Sequence, residues 1–419
     1  MFIETIFLSI VLILIFGRIL GEIAARLGLP SVVGELSAGV ILGPSLLGWV
    51  ELNDIIQTLS EIGLILLLFE VGLDTEISRL TRRSGKAMIV ATGGFIAPFV
   101  LGSATAYYLF HLSPLISMFI GGTLTATSIG VTVRVLRDLH RHKSPEAQIV
   151  LGASVIDDVM GVILLSILYQ FSVSGAINIM EASRVLIFML LFILLAPLVA
   201  KVMAIVIGNF SHQSRIPGLI PTMVISLVLT FAWLAHAIGA PAILGGFTAG
   251  LALSRSFFLP FGSSLKFHSN KKFVAHIASN TRPIIQLFTP IFFVVVGLSL
   301  NLHEVNWSDQ TTLTMAGAFI FIAMLSKFAG AMLLVKESIY QRVAIGIAMI
   351  PRAEVGLIFA ELGRMFHIFD QQLYAVMIVT IAATTIIPPF MLKFYYKYNG
   401  NHLCERECHD EKKMPSASH

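Results

Sequence analysis

The sequence predicts an all-α polytopic membrane protein of thirteen transmembrane helices. They form two inverted six-helix repeats joined by a linker helix, with broken helices crossing near the midplane. Three observations carry this: long apolar runs, a proline–glycine motif present in both halves, and charges placed in mid-span. Of 419 residues, 56% are hydrophobic and only 12% charged, where a soluble globular protein carries about 25% charged residues. Such a composition excludes a soluble enzyme, a disordered chain and a nucleic-acid-binding domain. Continuous apolar runs of roughly 20 residues suit bilayer helices, and their lack of alternation excludes a transmembrane barrel. Two cysteines, both late in the chain, supply no disulfide framework.

The thirteen apolar segments lie near 3–25, 31–50, 57–73, 86–110, 113–136, 147–171, 184–208, 217–238, 241–254, 284–301, 312–335, 341–362 and 371–394. The first reads as a retained helix, because Glu4 stands where a signal peptide has basic residues and no A-x-A site follows. The second and ninth are short and interrupted by glycine. Orientation follows from the 28 Lys and Arg. Lys327 and Arg352 lie at membrane depth. With the N-terminus outside, only Arg184 and Arg364 fall on the outer face. The clusters Arg79/Arg82/Arg83/Lys86, Arg134/Arg137/Arg141/Lys143 and Lys266/Lys271/Lys272 all fall inside. That asymmetry predicts N-out, C-in, and it reads the net charge of +4 as topology determinants beside anionic lipid.

The repeat is legible in three places. Residues 30–42 and 241–253 both read P-x-x-x-G-x-x-x-A-G-x-x-L. Phe69-Glu70-Val71-Gly72-Leu73 resembles Val294-Val295-Val296-Gly297-Leu298, and Gly130-Val131 falls opposite Gly356-Leu357. Span n pairs with span n + 7, so the halves cross in opposite directions, the architecture of secondary transporters. One longer loop, roughly 255–283, accounts for the growing offset. The resulting domain blocks are 1–74 (spans one to three), 84–172 (four to six), the linker 183–209, 216–302 (eight to ten), 310–397 (eleven to thirteen) and a short cytoplasmic tail, 398–419.

The charges carry the chemistry. Asp157 and Asp158 sit side by side in the sixth span, apolar on both sides. Each centrally placed Asp costs on the order of 2.5–3.5 kcal/mol to insert, and a purely structural pair would be served by Ser or Asn. Neighbours on a helix point about 100° apart, so the two carboxylates can have different partners. Lys327, in Ser326-Lys327-Phe328-Ala329-Gly330, is too deep to snorkel and needs an anionic partner, for which the Asp pair is the candidate. Thr123, Thr125, Thr127 and Ser128 crowd the fifth span before Gly130; a locally unwound helix there would offer hard oxygen ligands to a small cation. In the twelfth span, Pro351 cannot donate a backbone hydrogen bond, so the helix breaks there. Arg352 and Glu354 are read as charges that balance the unwound termini or pair with each other. Glu35 and Glu70 are assigned interfacial roles.

At these residues the chain resembles the monovalent cation:proton antiporter-2 superfamily, in particular its Asp-Asp type sodium/proton antiporters. The resemblance covers about residues 1–395 and rests on Asp157-Asp158, on Thr125-Ala126-Thr127-Ser128-Ile129-Gly130, on Lys327, and on Pro351-Arg352-Ala353-Glu354-Val355-Gly356. Ala353 stands where the family usually has Gly. The resemblance implies that Asp158 binds the cation, with Thr127 and Ser128 nearby, and that Asp157 pairs with Lys327. It implies a dimerisation panel (spans one to three and eight to ten), a mobile ion-carrying core (four to six and eleven to thirteen), and a homodimer in a bacterial cell membrane. Relatives that export potassium often carry a long nucleotide-binding domain, which is not expected in the short tail here.

The expected activity is exchange of a monovalent cation, Na+ first and Li+ as well, for protons. It requires no cofactor and no resident metal, and it is not enzymatic. A K+/H+ antiporter is the main alternative. A cation channel and a non-transporting receptor-like protein are the others. No Walker A motif supports ATP as the energy source, and no nucleic-acid partner is expected. With Lys327 as a second proton carrier, the exchange would be electrogenic. In the tail, His402, Cys404, Cys408 and His409 fit no known zinc module and are read as polar tail.

Overall fold

A computed structural model describes residues 2–74, 83–174, 187, 191, 195, 199, 219–238, 241–253, 271–304, 307–352 and 354–412. The regular structure among the described residues is helical. In chain order the helices are α1 (Phe2–Arg26), α2 (Ser31–Leu42), α3 (Asp54–Asp74), α4 (Ser84–Ala104, extended by a π-helical turn Thr105–Leu109), α5 (Pro114–Thr125), α6 (Ile129–Asp138) and α7 (Pro145–Ser174). After residue 218 come α8 (Leu219–Ala237), α9 (Ala242–Leu253), α10 (Lys271–Leu298), α11 (Gln310–Met332), α12 (Ile339–Ala348), α13 (Glu354–Met365) and α14 (Gln371–Lys412). Nine helices among the described residues are long and apolar enough to cross a membrane, and α2 and α9 are shorter apolar helices. On α1, Phe7, Val11, Ile15, Ile19 and Ile23 form an exposed stripe four residues apart, a surface suited to lipid rather than water.

Several expected boundaries move. The second span ends at Leu42 rather than 50, because Gly43 and Pro44 turn the chain. The tenth begins at Lys271, so residues 271–283 are helix, not loop. The last helix continues to Lys412, through most of the expected tail. Residues 413–419 and the side chains of His402, Cys404, Cys408 and His409 lie outside the described set, as do Arg79, Arg82, Arg184, Lys266 and the side chains of Lys271 and Lys272. Of the linker 183–209, only Ile187, Leu191, Leu195 and Val199 are described, all helical.

The chain forms two compact units. One comprises residues 1–20, 35–82 and 158–301. Its helices meet backbone to backbone through glycine. A Cβ at Gly39 would lie 2.7 Å from Gly297 Cα, and one at Gly250 would lie 2.2 Å from Phe69 O and 3.0 Å from the Gly72 carbonyl carbon. Thus α2 packs on α10 and α9 packs on α3, each through a residue of the recurring sequence motifs. The core here is aliphatic: Ile13, Leu42, Ile56, Val294 and Leu298 are buried together. Glu35, expected at an interface, is only 1% exposed in this packing, whereas Glu70 lies 3.5 Å from the guanidinium of Arg282.

The other unit comprises residues 21–34, 83–157 and 302–419. Small residues again set its closest approach, with a Cβ at Gly330 falling 2.3 Å from Val90 O, so α11 lies directly on α4. Three of its helices begin on side-chain caps. Ser113 precedes Pro114 and accepts from Ile116 N, Asp309 accepts from the amides of Thr311 and Thr312, and Ser338 accepts from Gln341 N, which satisfies donors that a helix leaves unpaired at its start.

Candidate functional site

The site is built where two helices stop inside the second unit. The first break separates α5 from α6, with Ala126 (φ −62°, ψ 141°) and Ser128 (φ −76°, ψ 109°) extended. Locally this follows from hydroxyl chemistry. Thr125 Oγ1 donates back to Gly122 O at 2.7 Å, and Ser128 caps the new helix by accepting from Val131 N at 3.4 Å. The second break separates α12 from α13. Pro351 lacks an N–H and disfavours helix at the preceding residue. The two breaks join directly, Ser128 N donating to Pro351 O at 2.7 Å.

A broken helix leaves carbonyls unpaired at its end, and two cations serve α5. Lys327 Nζ donates to Thr125 O at 2.5 Å. Arg352 donates from Nε and Nη2 to Leu124 O at 2.9 and 2.5 Å, from Nη2 to Ala323 O at 3.0 Å and from Nη1 to Ile350 O at 3.1 Å. Both side chains are fully buried. Positive charge at a helix C-terminus is favourable against the helix dipole, and the flat guanidinium presents several donors in a fixed fork. It ties the ends of α5 and α12 to α11.

Asp157, halfway along α7, is buried beside them. Its Oδ2 accepts from Lys327 Nζ at 2.9 Å and from Thr127 Oγ1 at 2.8 Å. Its Oδ1 has no hydrogen-bond partner among the described residues. Thr127 Oγ1 also lies 3.2 Å from Met349 O, so a single hydroxyl proton faces two acceptors. Asp158 is likewise buried. A carboxylate with one oxygen held by ammonium and hydroxyl and the other open suits a proton or a small hard cation, and it is costly to leave as a bare charge.

The structure thus brings Asp157, Thr127, Lys327 and Arg352 into one buried network, with Ser128 in the connecting backbone. Glu354 begins α13, and its side chain lies outside the described set, as does Ala353. Sequence reading missed the backbone acceptors Leu124, Thr125 and Ala323. It also missed Thr132 and Thr385, whose hydroxyls donate to Ala348 O at 2.8 Å and to Arg352 O. The clustering of hydroxyls around the first break was the one available signal, and it extends to Thr132. Some arginines read only as topology determinants also have structural partners. Arg134 bonds Ser31 Oγ at 3.0 Å and lies 3.5 Å from Asp138, and Arg141 bonds Glu146 at 3.0 Å.

Comparison with known proteins places this arrangement. The family described as "Sodium/hydrogen exchanger, transmembrane" matches residues 10–397. The high-affinity Na(+)/H(+) antiporter NhaS3 of Synechocystis sp. is 29% identical over 94% of this chain and 90% of its own length. The Na(+)/H(+)-K(+) antiporter GerN of Bacillus cereus is 30% identical over 93% of this chain and 96% of its own. The solved sodium proton antiporter MjNhaP1 of Methanocaldococcus jannaschii shares the fold, with a TM-score of 0.66 at 17% identity over 96% of this chain and 98% of its own. A chain of apolar helices with a buried carboxylate–lysine pair at two broken helices, matched over nearly its whole length, belongs to the sodium/hydrogen exchanger family of integral membrane proteins.

Proposed function

We propose that this protein exchanges a monovalent cation, Na+ first, for protons, at the carboxylates of Asp157 and Asp158. The observation that carries this reading is the buried Lys327–Asp157 pair at 2.9 Å beside an open Asp157 Oδ1. A proton and a cation compete for one carboxylate site, so one leaves before the other binds. Competition alone yields exchange, provided the empty, charged site does not cross. Asp158 is assigned the cation, with Thr127 and Ser128 as neighbouring oxygens, and Asp157 the lysine. When the cation draws Asp157 away, the Lys327 ammonium loses its counter-ion and releases one proton, beside the one displaced from Asp158, and both groups are reprotonated when the cation leaves. Two protons per cation then make transport electrogenic.

The motion we infer is elevator-like. Spans four to six and eleven to thirteen carry the ion against a static panel of spans one to three and eight to ten, with 183–209 as tether and two copies of the panel joined in a dimer. The reciprocal packing of α2 on α10 and α9 on α3 supports the inverted repeat, because a two-fold relation between spans two and nine and between three and ten exchanges those two contacts. The N-terminus is assigned to the outside of a bacterial cell membrane and the C-terminus to the cytoplasm. A second reading is K+ as a transported cation. It is favoured by the likeness to GerN, described as a Na(+)/H(+)-K(+) antiporter.

The test is proton movement in proteoliposomes on addition of Na+, Li+ or K+. Cation-dependent proton flux with Na+ and Li+, lost in Asp158→Asn, supports the reading. Current without proton coupling would mark a channel, and flux with K+ alone would select the second reading.

A further inference from the structure

A buried threonine inside a helix has a ready acceptor in the carbonyl four residues back. Thr123, Thr281, Thr289 and Thr380 use it, at 2.9, 2.9, 2.7 and 2.8 Å. Thr132 does not. Its hydroxyl leaves α6 and donates at 2.8 Å to Ala348 O, the last residue of α12. Its own amide meanwhile takes the carbonyl of Ser128 at 3.3 Å. Thr385 on α14 divides its hydroxyl between Ile381 O, at 2.7 Å, and Arg352 O.

The result is a run of carbonyls at the second break, each met by a protein donor. Ala348 O accepts from Thr132, Met349 O lies beside Thr127, Ile350 O accepts from Arg352, Pro351 O from Ser128 N and Arg352 O from Thr385. The run begins at Thr132. Ala348 and Met349 are consecutive, so the bond to Ala348 O sets where Met349 O lies. Met349 O is one of the two acceptors for the single proton of Thr127, the other being Asp157 Oδ2. Thr132 is itself only 1% exposed, and among the described residues its hydroxyl bonds Ala348 O rather than the ion-site carboxylate.

We propose that Thr132 is a positioning residue for cation exchange. It anchors the end of α12 so that the Thr127 hydroxyl is shared with Asp157 rather than surrendered to Met349, and Thr385 anchors the far side of the same break. The proposal rests on the reading that the Asp157–Asp158 site performs the exchange.

The experiment compares Thr132→Val, of similar shape but without the hydroxyl, with Thr132→Ser, which keeps it, in proteoliposomes over a range of Na+. Thr132→Val raises the apparent KM for Na+ by about threefold to tenfold, the factor of one ordinary hydrogen bond, with kcat within about twofold of wild type, and Thr132→Ser restores the KM. A purely packing role would instead lower the amount of folded protein or kcat and leave KM alone. A wild-type KM in Thr132→Val, or a raised KM that Thr132→Ser shares, overturns the proposal. If Thr132→Val does not fold, Thr132→Cys replaces it, with its weaker donor; a KM between wild type and tenfold higher supports the relay, and a wild-type KM overturns it. Absence of exchange in the wild-type protein would instead strike the underlying assignment of the site.

Discussion

Removing Lys327 tests the centre of the argument. Its Nζ lies 2.9 Å from Asp157 Oδ2 with both side chains at 0% exposure. At an effective dielectric near 20, two unit charges at that distance attract by about 6 kcal/mol, and desolvation of both ions offsets much of it. The loss on removing one partner is larger than the net value of the pair, because the other charge stays buried. Breaking a buried pair this way costs about 3–5 kcal/mol. In Lys327→Ala, Asp157 would keep, among the described residues, only the hydrogen bond from the Thr127 hydroxyl, and Thr125 O would lose the ammonium that serves it. Neutralising both, as Asp157→Asn with Lys327→Met, removes the stranded charge. The assay is thermal unfolding of the purified protein in detergent for the four members of the cycle, at one pH and salt. The expected order of melting temperature is wild type, then the double variant, then each single variant. Non-additivity well above the roughly 0.5 kcal/mol seen for independent sites is required. Losses that simply add would show that the two groups do not interact, and the assignment of Asp157 to Lys327 would fall.

Asp158→Asn is expected to insert and fold while losing cation/proton exchange in proteoliposomes, and exchange near the wild-type rate would refute its role. Lys327→Gln should leave slower exchange without response to an inside-negative potential; full voltage sensitivity would reduce Lys327 to a structural counter-ion. The Ser31 amide and hydroxyl both donate to Asp138 Oδ2 at 2.8 Å, so cysteines at these two positions should cross-link. If α2 belongs to the static panel and α6 to the moving core, that cross-link stops turnover until reduced; transport through it would argue against the sliding motion. At the start of α11, hydrogen bonds from the Thr312 hydroxyl and then its amide hold the Asp309 carboxyl below the ordinary carboxylate range. A depressed folded value means the stabilisation is complete above the unfolded value, about 3.9, and fades as pH falls through the folded one. Asp309→Asn should therefore flatten the acid end of the melting profile, and an unchanged profile would remove Asp309 as its source.

What the sequence by itself determined is local. Hydropathy and run length identify a helical membrane protein, since a bilayer forces backbone groups to pair within a segment. The break at Pro351 is legible because proline lacks the donor a helix needs there. A carboxylate pair and a lysine in apolar spans stand out because burial makes them expensive unless they have a function or a partner. Boundaries set by distant packing were not legible: α10 starts well before its apolar run, with polar residues in its first turns, and α14 runs far past its own. Tertiary structure alone decided which oxygen each donor reaches. Lys327 and Asp157 are 170 residues apart, Thr132 and Ala348 216, and Arg352 and Leu124 228. Nothing in the local pattern of a threonine says whether its hydroxyl turns back to its own helix or crosses to a broken one. That choice is made by how closely neighbouring backbones approach, and here glycines such as Gly330, against Val90 O, set that approach.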